Sequence, residues 1–152
     1  DVLIEAFNQM GRPLLIAGSG RDRGRLEALA GPSITFLGRV SDADLPGLLA
    51  RCRAFVWPAE EDFGIAPLQA MASGRPVIAL AAGGALETVV PGTGCLFAEQ
   101  SAPAIIRAVE EFDANGVSPG FIRAHAEQFD LQLFKQRLLS FIDQKVAEHS
   151  GR

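Results

Sequence analysis

Five short apolar runs punctuate the first hundred residues: PLLIAG (13–18), ITFLG (34–38), AFVWP (54–58), PVIAL (76–80) and the weaker GCLFA (94–98). They constrain the fold more than any other feature. Each is too short and too uniformly apolar for an amphipathic helix, so each predicts a strand buried on both faces of a parallel sheet. RDRGRLEALAG, SDADLPGLLARC and IAPLQAMASG, which lie between them, carry helical patterns. Strand and helix alternate, with Gly and Pro at the junctions. This predicts an α/β domain with a Rossmann-like, doubly wound parallel sheet and helices on both faces.

From Ser101 onward only helical patterns remain: SAPAIIRAVEEFDANG, PGFIRAHAEQF and DLQLFKQRLLSFIDQKVAEH, a helical C-terminal tail. In the last, Leu133, Phe134, Leu138, Phe141 and Ile142 recur at helical spacing, which predicts a core-packed face. The 152 residues suit one domain with a sizeable core. No run approaches the roughly 18 apolar residues of a membrane span. The N-terminus, DVLIEAFNQMGRP, has no initiator Met and no signal-peptide architecture; it looks like the middle of a helix, so the chain reads as a fragment of something longer.

A net charge of -4 argues against non-specific nucleic-acid binding. Arg21, Arg23 and Arg25 lie close together, but Asp22 and Glu27 dilute them. Cys52 and Cys95 form no CxxC and no metal set, so both are expected reduced and buried in a cytosolic protein. His125 and His149 fall in amphipathic C-terminal sequence and are expected on solvated helix faces.

Doubly wound sheets bind ligands at the C-terminal ends of their strands. Three loops fall there: Gly18–Gly20 after the first run, Gly38–Val40 after the second, Gly83–Gly84 after the fourth. After the third come Glu60, Glu61 and Asp62. Gly18 and Gly20 suit a tight turn or a nucleotide-facing loop. They match neither GxGxxG, which Arg23 breaks, nor a Walker A loop. Asp42 and Asp44 form a DxD that could hold a divalent metal. Ser41 and Asp44 also fit a helix capping box, and that reading is preferred.

Ala66-Pro67 sits where a helix should begin, Pro being favoured at the first helical position, and Gly74 and Pro76 mark that helix's end. Phe63, Gly64 and Ile65 therefore present backbone N–H groups at a helix N-terminus, an anion site. Three carboxylates beside an anion site suit a ligand with phosphates at one end and hydroxyls at the other.

At this point the residues resemble a family. EDFGIAPLQAMASGRPVIA is similar to the signature of the retaining glycosyltransferases of family four, the group 1 glycosyltransferases: Glu, any residue, Phe-Gly, Glu-Ala further on, then Gly-x-Pro-Val. LLIAGSGRDRGRLEALAG, ITFLGRVSDADLPGLLARCRAFVWPAEEDFGIAP and GGALETVVPGTGCLF follow the family's order over nearly the whole chain. The resemblance implies that residues 1–152 are the C-terminal, donor-binding half of a two-domain GT-B enzyme. The acceptor domain and the diphosphate-binding Arg and Lys would lie upstream.

The resemblance also implies residue roles. Glu61 is the catalytic-site carboxylate that contacts the donor sugar, beside Phe63, Gly64 and Ile65. Pro67 and Leu68 fall where helix amides approach the diphosphate. Gly38, Arg39 and Val40 match the loop whose backbone reads the base. Gln69 stands where the family has a ribose-binding Glu. It forfeits charge assistance of about 1 kcal/mol, which predicts weakened nucleotide binding.

The implied activity is retaining transfer of a hexose, mannose as a first guess, to a hydroxyl. The donor would be a nucleotide diphosphate sugar such as GDP-mannose. No metal or other cofactor is expected. The acceptor, a glycan or lipid-linked molecule in polysaccharide biosynthesis, would meet the N-terminal domain. The whole protein is expected in the cytoplasm, peripheral to the inner membrane face. The last helix often crosses to the other domain in such enzymes, so its apolar face would be uncovered in a shorter chain. The alternatives are a nucleotide-sugar-binding module without turnover, favoured by Gln69, a nucleotide-sugar epimerase and, least, a Rossmann dehydrogenase.

Overall fold

A computed structural model describes residues 1–114 and 116–150. Position 115, inside the first predicted tail helix, and positions 151 and 152 lie outside the described residues. The chain runs α1 (Val2–Met10), β1 (Leu14–Ala17), α2 (Arg23–Leu29), β2 (Ile34–Gly38), α3 (Leu45–Arg51), β3 (Phe55–Trp57) and α4 (Ile65–Ala72). It continues with β4 (Val77–Leu80), α5 (Ala85–Thr88), β5 (Gly94–Phe97), α6 (Ala102–Ala114), α7 (Pro119–Ala126), a 3-10 turn at Glu127–Phe129 and α8 (Leu131–Ser150). All five predicted strands are present, most of them a residue or two shorter than the apolar run that encodes them.

Local chemistry sets the element ends. Contrary to the expectation that DVLIEAFNQM is the middle of a helix, α1 starts at Val2 and Asp1 caps it, its Oδ1 accepting from the Val2 N–H at 3.1 Å. Gly11 ends the helix in the left-handed region at φ 63°, donating its N–H to Phe7 O at 2.9 Å, a conformation that glycine adopts without strain.

All strand pairings are parallel. β4 shows why both faces carry helices. Its Ile78 enters one core with Ile4 and Phe7 of α1, Ile34 of β2 and Ile105, Val109 and Phe112 of α6. Val77 and Ala79, one residue to either side, enter a second core with Leu49 of α3, Leu68 and Met71 of α4 and Ile122 of α7. Period-two alternation along one strand thus feeds two helix layers. Met71 and Ile78 are essentially inaccessible. Burying a side chain of that size contributes about 1.5–3 kcal/mol.

The parallel, doubly wound arrangement is as expected, its hydrogen-bonded strands falling into two sets, β1-β2 and β3-β4-β5. Two further expectations are corrected. The apolar run of β1 is not buried on both faces: its residues alternate half-buried and exposed, and Leu15 is 53% exposed. Finally, α8 buries none of its residues. Of the predicted face, Phe134, Leu138, Phe141 and Ile142 are exposed and Leu133 is half-buried; the main packing contact of the helix is with the 3-10 turn before it.

Candidate functional site

The acidic loop leaves β3 at Trp57, whose ring stacks on Phe55 at 5.9 Å between centroids and whose indole nitrogen is buried without a hydrogen-bond partner. Glu60, Glu61 and Asp62 follow, all exposed. The loop's backbone is nevertheless tightly held. Glu61 O accepts from the Gly84 N–H at 2.7 Å. A Cβ on Gly83 would lie 2.2 Å from Glu61 O, and one on Gly84 would lie 2.7 Å from both Asp62 O and Phe63 O. The glycine pair after β4 is therefore explained by direct backbone contact with the acidic loop. It braces the loop that carries Glu61.

Gly64 caps α4 at φ 83°, which glycine tolerates and other residues resist. α4 starts at Ile65, two residues before Pro67. This alters the expected anion contacts. Pro67 has no N–H, and the Leu68 N–H is directed at Gly64 O at 3.4 Å; both residues are buried. The helix-terminal amides ahead of that first intrahelical bond are those of Gly64, Ile65 and Ala66. Gln69 is exposed one turn further along α4. Phe63 and Ile65 are exposed apolar groups beside these amides.

The phenyl ring of Phe63 meets Phe129 edge-on, with centroids 6.2 Å apart, and Phe129 meets His125 likewise at 5.5 Å. His125 Nε2 lies 2.9 Å from Thr88 O, to which only an N–H can donate. Thr88, buried, returns its hydroxyl to Gly84 O at 3.0 Å. Gly84, Thr88, His125, Phe129 and Phe63 thus form a continuous brace from the β4 loop to the acidic loop. His125 is half-buried in it, contrary to the expected solvated helix face, while His149 is exposed as expected. Sequence reasoning missed Phe129 and Thr88, which lie 66 and 25 positions from Phe63. No local pattern links such positions.

Gly38 ends β2 at φ 69°, and its O accepts from the Gly18 N–H at 2.7 Å, so the two glycine loops adjoin. The Arg23 guanidinium, paired with Glu27 at 2.8 Å, lies over Gly38: a Cβ there would sit 2.9 Å from its Nη1. Arg39 is exposed and Val40 half-buried. A Cβ on Gly20 would meet nothing within 4 Å. The DxD forms the expected cap: Ser41 Oγ donates to Asp44 at 2.5 Å and accepts from the Asp44 N–H at 3.2 Å. Cys52 and Cys95 are free but half-buried instead of buried, and burial pushes both thiols up from their ordinary value.

The architecture is that of the GT-B glycosyltransferases. Sucrose-phosphate synthase from Thermosynechococcus elongatus superposes at a TM-score of 0.77 and 28% identity, over 97% of this chain and 42% of that one. The Anabaena protein Alr3699/HepE, solved in complex with UDP-glucose, gives 0.74 at 27% identity, over 94% of this chain and 44% of that one. The family model for glycosyl transferases group 1 matches residues 1–115. The chain belongs to the group 1 glycosyl transferases. A relative in Corynebacterium glutamicum is the GDP-mannose-dependent monoacylated alpha-(1-6)-phosphatidylinositol monomannoside mannosyltransferase. It is 43% identical over 110 residues, 62% of this chain and 29% of its own length. The chain thus spans less than half of each of these proteins.

Proposed function

We propose that this domain is the C-terminal, donor-binding half of a retaining glycosyltransferase. In this reading it holds a nucleotide diphosphate hexose while the sugar passes to a hydroxyl acceptor on a glycan or lipid-linked molecule. The observation that carries the reading is the braced junction of the acidic loop with the open N-terminus of α4, locked by the Gly84 N–H on Glu61 O. Carboxylate and amides leave the same short loop. Glu61 accepts from sugar hydroxyls, flanked by Phe63, Gly64 and Ile65. The amides of Ile65 and Ala66, replacing those expected at Pro67 and Leu68, face the diphosphate. Charge accumulating on the departing nucleoside diphosphate is stabilised by these donors and the helix dipole. The backbone of Gly38, Arg39 and Val40 takes the base, with the Gly18–Gly20 loop beside it. Gln69 takes the ribose, one neutral hydrogen bond replacing a charged one.

Mannose from GDP-mannose is the preferred donor, as in the Corynebacterium relative's name; the HepE complex makes UDP-glucose the alternative to test. The pairing of Asp44 with Ser41 favours a capping role over metal ligation, so transfer is expected to survive chelation by EDTA. No helix among the described residues is long and apolar enough to cross a membrane. We place the whole protein in the cytoplasm, peripheral to the inner membrane face.

Glu61→Ala in the whole protein tests the assignment. Transfer is expected to fall by at least about a hundredfold, the scale of losing one transition-state contact, with folding unchanged. Full activity in that variant would remove Glu61 from the site. Gln69 favours a second reading, a nucleotide-sugar-binding module without turnover. Calorimetric titration with GDP-mannose and UDP-glucose, beside a transfer assay, separates the two.

A further inference from the structure

The stretch from Glu61 to Ile65 is pinned at both ends. At one end Glu61 O accepts from the Gly84 N–H at 2.7 Å. At the other, α4 is anchored by Leu68 and Met71 in the second core. Between the pins lie Asp62, Phe63 and Gly64, and Gly64 stands at φ 83°, where glycine meets little steric resistance to rotation. The Phe63 side chain is 50% exposed. Its ring meets the Phe129 ring edge-on, with centroids 6.2 Å apart and planes at 62°. A third pin therefore acts on the middle of the loop, through a side chain instead of the backbone.

Phe129 is itself held from two directions. Behind it, α7 is fixed to the domain. Ile122 and Ala126 are buried in the second core, against which Phe129 also packs. The Arg123 Nε donates to Ala72 O, at the end of α4, at 3.2 Å. His125, held at Thr88 O, turns its ring against Phe129 at 68°. Ahead of Phe129 stands α8, separated from the 3-10 turn by Asp130 alone. Asp130 Oδ1 accepts from the Gln132 N–H at 2.7 Å, and Arg137 Nη1 donates to Gln128 O at 3.2 Å. The root of α8 is thus tied to the residues on either side of Phe129.

We propose that Phe129 is a positioning residue of the donor site: its ring edge holds Phe63, and with it residues 62–64, in the geometry that receives the sugar of a nucleotide-sugar donor. This role presupposes the donor-binding reading given above. An edge-to-face aromatic pair biases an equilibrium between two loop geometries by about two- to tenfold. That is enough to set which geometry is populated and too little to decide whether the domain folds. The hold acts on the sugar end alone. The amides of Ile65 and Ala66, which face the diphosphate, belong to α4 and are steadied by that helix's own core contacts.

Calorimetric titration and transfer kinetics on the whole protein test the proposal. The ligands are GDP-mannose and UDP-glucose, each beside its free nucleoside diphosphate. Phe129→Leu keeps apolar bulk against the second core and removes the ring edge. It is expected to weaken binding of the sugar-bearing donor by about three- to tenfold, with a matching fall in kcat/KM. Affinity for the free nucleoside diphosphate is expected to change by less than about twofold. Phe129→Tyr, which restores a ring, is expected to recover both losses. Phe63→Leu combined with Phe129→Leu is expected to lose no more than Phe63→Leu alone, as for two residues that act through one contact. Equal losses for donor and free diphosphate, no loss for either, or additive losses in the double variant overturn the proposal and leave the donor-binding reading standing. Failure of the unsubstituted protein to bind either pair of ligands overturns that reading, and the role of Phe129 with it.

Discussion

VIAL in β4 and LLIA in β1 are nearly the same in composition and stand in opposite circumstances. The first is buried at Val77, Ile78 and Ala79; the second leaves Leu15 more than half exposed. β4 has β3 on one side, β5 on the other and a helix layer on each face. β1 has β2 alone and one covered face. Burial is therefore a property of the neighbourhood that a strand joins, and the apolar run only makes a strand eligible for it.

The sharpest break in this comparison is at Gly94, where β5 abuts β4. A Cβ there would lie 1.8 Å from Val77 O. Gly94→Ala is expected to cost at least about 4 kcal/mol, in the exceptional range for a point change, read as loss of the cooperative urea transition. Retention of that transition would mean that β4 and β5 can separate freely. Ile78→Ala comes next. It opens a cavity between two helix layers and costs about 2–5 kcal/mol in urea unfolding. Leu15→Ala, the matching change in β1, costs about 0.5 kcal/mol or less in this chain. Equal losses at Ile78 and Leu15 would erase the distinction between the two sheets.

The smallest effect concerns Cys95 in β5. Burial raises its thiol above the ordinary range, with Glu111 adding to the shift. The unfolded chain then gives up this proton first as pH rises above about 8.5. The stabilising contribution is complete below that pH and is lost as pH climbs through the folded value. Unfolding free energy is expected to fall slightly more steeply at alkaline pH in the natural chain than in Cys95→Ala.

These differences mark what the sequence reveals. The strands, their order and the two-faced winding follow from local patterns: apolar runs of strand length, Gly and Pro between them, caps such as Ser41 with Asp44. The acidic loop and α4 are legible for the same reason, since Glu61 and Gly64 are neighbours along the chain. The start of α4 was displaced by two residues because Pro67 is also tolerated in the first turn beyond its opening position. The glycine pair at Gly83 and Gly84 shows its purpose only once Glu61 O is in contact with it. The aromatic brace through His125 and Phe129 joins elements that no periodicity relates. The exposure of α8 escapes pattern reading altogether, since an amphipathic stripe does not say what it faces.

Trp57 sits where β3 hands over to the acidic loop, and it is the chain's single tryptophan, with no tyrosine present. Near-ultraviolet emission from this domain consequently arises from one half-buried indole at the root of the acidic loop. Binding at the proposed donor site is expected to register as a change in the colour or intensity of that lone fluorophore, without attaching any dye.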